Sequence, residues 1–181
     1  TDTGVWAAKA IKEAKRFGTV NVVSSSKADV YNHIPKDFKQ TEGAAYLHVT
    51  SNNTIYGTQW KNFPEAATYL VADMSSDILS RKIDVSKFGL IYAGAQKNMS
   101  CAGVTLAIIR KDILGKVGRS IPTMLDYATH IPEHSMFNTP PVFPIYVMNR
   151  TLSWLKENGG VEAMEALNNK KSGILYDAID N

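Results

Sequence analysis

Residues 69–98 read YLVADMSSDILSRKIDVSKFGLIYAGAQKN, and this stretch decides the architecture. Two apolar runs stand in it, Tyr69 to Ala72 and Leu90 to Ala93, each closed by small or polar residues. A short run without polar alternation is the pattern of a strand buried on both faces, and such strands belong to parallel sheets covered by helices. Working outward, Ala44 to Val49 repeats the pattern, and Val104 to Ile109 adds a run rich in β-branched residues. Helical material is expected between some of them, around Phe63 to Ala67 and Ser75 to Leu79. Together these imply an α/β fold with a mostly parallel sheet flanked by helices.

The flanks are helical. Ala7, Ala10, Ile11 and Ala14 recur at the spacing of one helix face, which predicts a helix from Gly4 to Phe17. Asp2 or Thr3 is placed to cap its start and Gly18 its end. Thr19 to Val23 reads as a short strand, followed by a polar, Ser-rich loop to Thr41. Near the other end Ile145, Met148, Leu152 and Leu155 form one stripe, broken at Asn158-Gly159-Gly160. Met164, Leu167, Lys171, Ile174 and Ala178 continue a second one. We expect residues 1–157 to form part of a large domain and 158–181 a helix leading towards a C-terminal domain outside this chain. Both ends read as cut from a longer protein.

Composition excludes several classes. The net charge of +3 comes from scattered lysines and arginines, not from the basic block a nucleic-acid surface requires. No run approaches the roughly 18 apolar residues of a membrane span. The single cysteine, Cys101, permits no intrachain disulfide, suits a reducing cytoplasmic compartment, and is expected as a small buried hydrophobe. His33, His48, His130 and His134 lack metal-ligand spacing, so no metal site is expected. A phosphate-binding P-loop and a dinucleotide fingerprint are both missing.

In open α/β sheets, ligands bind beyond the carboxyl ends of the strands. Asp73 leaves one such end, and Lys97 follows another on the small-residue turn Gly94-Ala95-Gln96. Alone, the aspartate reads as a helix cap and the lysine as a solvated loop residue. The pair says more, because pyridoxal-phosphate enzymes need a Schiff-base lysine and an acid facing the pyridine nitrogen.

The stretch from Tyr69 to Asn98 resembles the signature region of the phosphoserine aminotransferase family, class V, fold type I pyridoxal-phosphate-dependent aminotransferases. The likeness extends to the opening TGVWAAKAIKEAKRFG, to Asn53-Thr54-Ile55, and to AGVTLAIIRKDILG from Ala102 to Gly115. It continues through MFNTPP from Met136 to Pro141 and Trp154 to Glu165, and is weakest from Ser24 to Gln40. The resemblance implies pyridoxal 5'-phosphate as cofactor, a homodimer with shared active sites, and no nucleic-acid or membrane partner. It also implies small amino-acid and keto-acid substrates: amino-group exchange between O-phosphoserine and 2-oxoglutarate in serine biosynthesis. Another class V enzyme and a catalytically silent cofactor-binding fragment are the alternatives.

Carried over residue by residue, Lys97 matches the Schiff-base lysine and Asp73 the partner of the pyridine nitrogen. Trp6 matches the aromatic that stacks on the ring; by itself it reads equally as a core tryptophan. Thr54 matches the threonine that hydrogen-bonds the ring's phenolic oxygen. Gln96 matches a phosphate ligand of the same subunit, and Asn138 and Thr139 match phosphate ligands donated by the partner. Asn-Thr-Pro-Pro also reads as a polar cap before a helix, and the two readings are compatible because helix N-termini attract anions. None of Arg16, Arg81, Arg110, Arg119 and Arg150 matches the family's substrate-gripping arginines.

Overall fold

The computed structural model describes residues 1–181. In chain order its elements are α1 (Val5–Ala14), β1 (Tyr46–Thr50), β2 (Asn52–Asn53), β3 (Thr58–Gln59), β4 (Tyr69–Asp73), β5 (Leu90–Gly94), β6 (Thr105–Ile109), α2 (Tyr127–His130), α3 (Val142–Glu157) and α4 (Gly160–Asp180). Four strands form one sheet in the order β1-β4-β5-β6. The first three run parallel, and β6 turns back antiparallel to β5. All four strand runs read from the sequence are present, each shifted by at most two residues at an end. Helices α1 and α3 pack against the sheet, which makes the fold α/β with a mostly parallel mixed sheet.

The alternation along the strands sorts two faces. Leu47, Val49, Leu70, Ala72, Ile91 and Ala93 point to one side and join Trp60, Met74, Ile78, Phe88, Ala95 and Met99 in a single buried cluster. Met148 of α3 closes over it. The other face carries His48, Asp73 and Tyr92: Asp73 pairs in register with Tyr92, and His48 pairs with Val71, two residues before Asp73. One face therefore supplies cohesion and the other supplies chemistry.

Several local expectations fail, each for a visible reason. Ser75 to Leu79 is a turn and not a helix. The Met74 carbonyl accepts from Asp77 and Ile78, and Leu79 then takes φ +63°, a left-handed conformation that stops propagation. Phe63 to Ala67 stays irregular, with Phe63 and Ala66 pinned to the core cluster and Pro64 unable to donate a backbone bond. Thr19 to Val23 is not a strand; the pairing nearby is a single bridge between Asp2 and Ser25. The first helix begins after Gly4 without a side-chain cap. Asp2 instead accepts from the Ser25 hydroxyl at 2.9 Å, and Thr3 donates to Asn53 at 3.1 Å. That helix ends at Ala14, four residues short of the expected cap at Gly18. Cys101 is exposed, not buried, because it lies on the surface turn between β5 and β6.

The break at Asn158-Gly159-Gly160 is where the sequence places it. Gly159 and Gly160 adopt φ +88° and +72°, which a residue with a Cβ rarely takes, so α3 ends and α4 starts in a new direction. The first half of α4 is tied to the loop after β4: Glu165 accepts from the Lys82 backbone at 3.0 Å and Asn168 donates to the Ser80 carbonyl at 3.1 Å. Its second half leaves Ile174, Leu175, Tyr176 and Ile179 exposed.

Candidate functional site

Three chain segments meet beyond the carboxyl ends of β4 and β5: the start of α1, the β2–β3 hairpin and the turn after β5. Local hydrogen bonds explain why they meet. Thr3 reaches Asn53 at 3.1 Å, and Asn53 in turn donates to Thr58 across the hairpin at 3.1 Å. The Ser51 hydroxyl donates to the Asp73 carbonyl at 2.8 Å, fixing the hairpin base to the end of β4. Ser51 also bonds the buried Asp77 carboxylate, which Gln59 holds from the far strand of the hairpin at 3.1 Å.

Asp73 is half-buried at the last position of β4. Its Oδ1 accepts from the Ser75 backbone N–H at 3.0 Å and from the Ser75 hydroxyl at 2.6 Å. The same Ser75 oxygen accepts from Gly94 N–H at 3.0 Å, so one serine couples the ends of β4 and β5. At Gly94 itself a Cβ would meet the Gln96 amide oxygen at 2.5 Å, so glycine lets that side chain fold back over the strand end. Lys97 lies on the following turn with its Nζ donating to Thr54 Oγ1 at 3.4 Å. It is exposed. Trp6 stands at the start of α1 with 46% of its surface open and the Lys9 ammonium 4.4 Å from its ring.

The structure thus brings Trp6, Thr54, Asp73, Gln96 and Lys97 to one end of the sheet. It does not join Asn138 or Thr139 to them by a hydrogen bond. Both are exposed, and Asn138 donates to the Met124 sulfur at 3.1 Å. The helix that follows them, α3, is tied to the lysine turn, because Ser100 donates to the Pro144 carbonyl at 2.6 Å. An apolar cavity of about 410 Å³ lies elsewhere, lined by Phe17, Leu90, Ile109 and Ile113. Leu90 starts β5 and Ile109 ends β6, which puts that cavity at the opposite end of the sheet from Asp73 and Lys97.

Sequence reasoning missed Ser75, His48 and Tyr92. The signal was the two-residue alternation of β1, β4 and β5, which puts His48 and Tyr92 on the face that Asp73 occupies.

The sequence of residues 1–181, from α1 to α4, matches the family described as aminotransferase class-V. The chain belongs to the class-V aminotransferases. A phosphoserine aminotransferase of Flavobacterium psychrophilum is 60% identical over 179 residues, 99% of this chain and 50% of its own length. Among solved structures, a phosphoserine aminotransferase from Bacillus circulans subsp. alkalophilus superposes with a TM-score of 0.96 at 48% identity, covering 100% of this chain and 51% of that one. A pyridoxal-phosphate-bound phosphoserine aminotransferase from Trichomonas vaginalis gives 0.92 at 41% identity, over 99% of this chain and 55% of its own. The chain spans about half the length of the curated relatives it matches. No helix is long and apolar enough to cross a membrane.

His48, on the same face of the sheet as Asp73, has a measurable effect on stability. Burial pushes the His48 imidazole down from 6.5 to about 4, against the opposing pull of Asp73. The folded chain then binds that proton less readily than the unfolded chain. Stability is therefore expected to fall as pH drops from about 6.5 to about 4, by up to roughly 3 kcal/mol, since each pKa unit is worth about 1.4 kcal/mol. Urea unfolding of wild type and His48→Gln at pH 7.5 and 4.5 measures it. The variant should lose less stability on acidification; an identical loss in both would show that His48 does not titrate this way.

Proposed function

We propose that the protein is a pyridoxal-phosphate-dependent phosphoserine aminotransferase, exchanging an amino group between O-phosphoserine/3-phosphohydroxypyruvate and glutamate/2-oxoglutarate in cytoplasmic serine biosynthesis. The observation that carries the reading is the convergence of Lys97, Thr54 and Asp73 at adjoining strand ends, with Lys97 Nζ 3.4 Å from Thr54 Oγ1. The names of relatives at 60% identity give the substrate class.

The residues fit the cofactor part by part. Lys97 offers an amine for the aldehyde, Asp73 a carboxylate for the pyridine nitrogen, and Thr54 a hydroxyl for the phenolic oxygen. Trp6 presents an open ring for the flat face, and Gln96 an exposed amide for the phosphate. When bound, the cofactor supplies an electron sink for the pair left at the substrate's Cα. Lys97 would hold it at Nζ and, once the substrate amine has taken its place, would carry the proton from the substrate's Cα to the cofactor's C4′. Thr54, within hydrogen-bonding distance of Nζ, keeps the amine aimed at one place. Asp73 holds a proton on the pyridine nitrogen, and Ser75 fixes the carboxylate with two donated bonds.

We also place Asn138 and Thr139 across a two-fold interface, where they would complete the partner's phosphate site. Their exposure and their lack of a bond to the Lys97 cluster suit that role. Residues 1–157 then form part of the large cofactor-binding domain, and α4 leads out of it. A complementation experiment on the full-length protein tests the arrangement. Lys97→Ala and Asn138→Ala/Thr139→Ala should each be nearly inactive alone. After verified subunit exchange, mixed dimers concentrate both lesions in one site and leave the other intact. Activity should recover to about a quarter of wild type, because half the dimers are mixed and each has one good site. Complete exchange with no recovery would contradict a shared site.

A further inference from the structure

On the chemical face of the sheet, His48 and Tyr92 meet across β4. His48 Nε2 lies 2.9 Å from the Tyr92 hydroxyl, with ring centroids 6.0 Å apart. Tyr92 is the direct register partner of Asp73 on the neighbouring strand, and His48 pairs one row back with Val71. Burial and the charge of the Asp73 carboxylate both disfavour ionisation of the Tyr92 phenol. Ser75 meanwhile engages Asp73 Oδ1 from the other side.

We propose that His48 and Tyr92 are positioning residues for Asp73: His48 Nε2–H donates to the Tyr92 oxygen, and Tyr92 O–H donates to the Asp73 carboxylate. The inference rests on the reading of Asp73 as the pyridine partner given above. The direction of the chain follows from the number of protons. A phenol has one to give. Spent on His48, it would leave the oxygen's lone pairs facing a carboxylate; spent on Asp73, it makes a charge-assisted bond, the stronger kind. The oxygen then needs a donor behind it, and a neutral imidazole protonated at Nε2 is one. Burial keeps the phenol from ionising and the imidazole from taking a second proton, with Tyr46 and Tyr127 adding to the pressure on Tyr92. Ser75 and Tyr92 between them would clamp the carboxylate from two sides, fixing its plane relative to a bound ring. A carboxylate free to rotate would hold the ring nitrogen's proton less well.

The experiment uses the full-length protein with pyridoxal phosphate, as wild type, Tyr92→Phe and His48→Gln. It reads the thermal midpoint, the cofactor Kd by equilibrium dialysis, kcat and KM, and nitrogen-15 spectra of ring-labelled histidine. The His48 signal is identified by its loss in His48→Gln. In wild type, His48 should be neutral with its proton on Nε2 between about pH 6 and 8. Tyr92→Phe should weaken cofactor retention about tenfold and lower kcat with little change in amino-donor KM, at a near-native midpoint. His48→Gln should move both in the same direction by less. A wild-type His48 protonated at Nδ1 overturns the inference even if Tyr92→Phe does not fold, because Tyr92 would then be donating to the imidazole. Cofactor retention within about twofold of wild type in a folded Tyr92→Phe also overturns it, and leaves the aminotransferase reading standing. A wild type that takes up no pyridoxal phosphate overturns both.

Discussion

Lys97→Ala in the full-length protein is expected to abolish the visible absorbance of bound pyridoxal phosphate and to cut transamination by at least about a thousandfold. The size follows from what one side chain is asked to do. In the proposed role it would hold the cofactor covalently and move the proton between substrate and cofactor; proton transfer by a placed base alone contributes roughly 10² to 10⁴-fold. Thr54 cannot substitute, since a hydroxyl has neither the basicity nor the nucleophilicity of an amine. The fold should survive, because Lys97 is exposed and its side-chain partner is a single 3.4 Å bond to Thr54. Exposed substitutions of this sort usually shift stability by no more than about 0.5 kcal/mol. Absorbance spectra, steady-state rates and a thermal midpoint on the same preparation test all three parts. A variant that keeps both its colour and near-normal rates would remove Lys97 from the chemistry.

Asp73→Asn should leave the fold intact but weaken cofactor retention and, in protein saturated with cofactor, lower kcat by at least a hundredfold. An asparagine oxygen can still accept from the Ser75 N–H and hydroxyl, which now bond Oδ1 at 3.0 and 2.6 Å. What disappears is the negative charge. Removing one member of a buried charge pair costs about 3 to 5 kcal/mol. At about 1.4 kcal/mol per tenfold, the lower figure corresponds to two decades in rate. Steady-state kinetics with a cofactor-binding measurement separate loss of chemistry from loss of cofactor. A rate within threefold of wild type would show that the carboxylate only organises the Ser75 turn.

The sheet was legible because its strands are short, apolar and bounded. Tyr69 to Ala72 and Leu90 to Ala93 have no polar residue to alternate, which only a strand covered on both faces tolerates. The turns between them were not. Ser75 to Leu79 has helical composition, but Asp73 spends its carboxylate on Ser75, and the chain escapes the helix through a left-handed Leu79. The caps of α1 were misread for a related reason: Asp2 and Thr3 have the right chemistry for capping but find long-range partners in Ser25 and Asn53. Local propensity ranks such residues correctly and cannot see what competes for them.

At the site, the strand ends singled out Asp73 and Lys97 as a suggestive pair, whereas their roles and those of Trp6, Thr54, Gln96, Asn138 and Thr139 depended on family resemblance. The distance between Thr54 and Lys97, 43 residues in sequence and 3.4 Å in space, is a product of topology that no local pattern carries. His48 and Tyr92 escaped notice because each touches Asp73 or its neighbour and neither forms a motif.

The claim on which the rest depends is that Lys97 Nζ is the point of attachment of pyridoxal phosphate. Borohydride reduction of the full-length protein, followed by digestion and mass analysis of the peptide containing residues 95–98, tests it with no assumption about substrate. The account predicts one phosphopyridoxyl group per chain, carried on Lys97, and none in unreduced controls. The same group on another lysine, or no adduct in protein that has been given the cofactor, would contradict it.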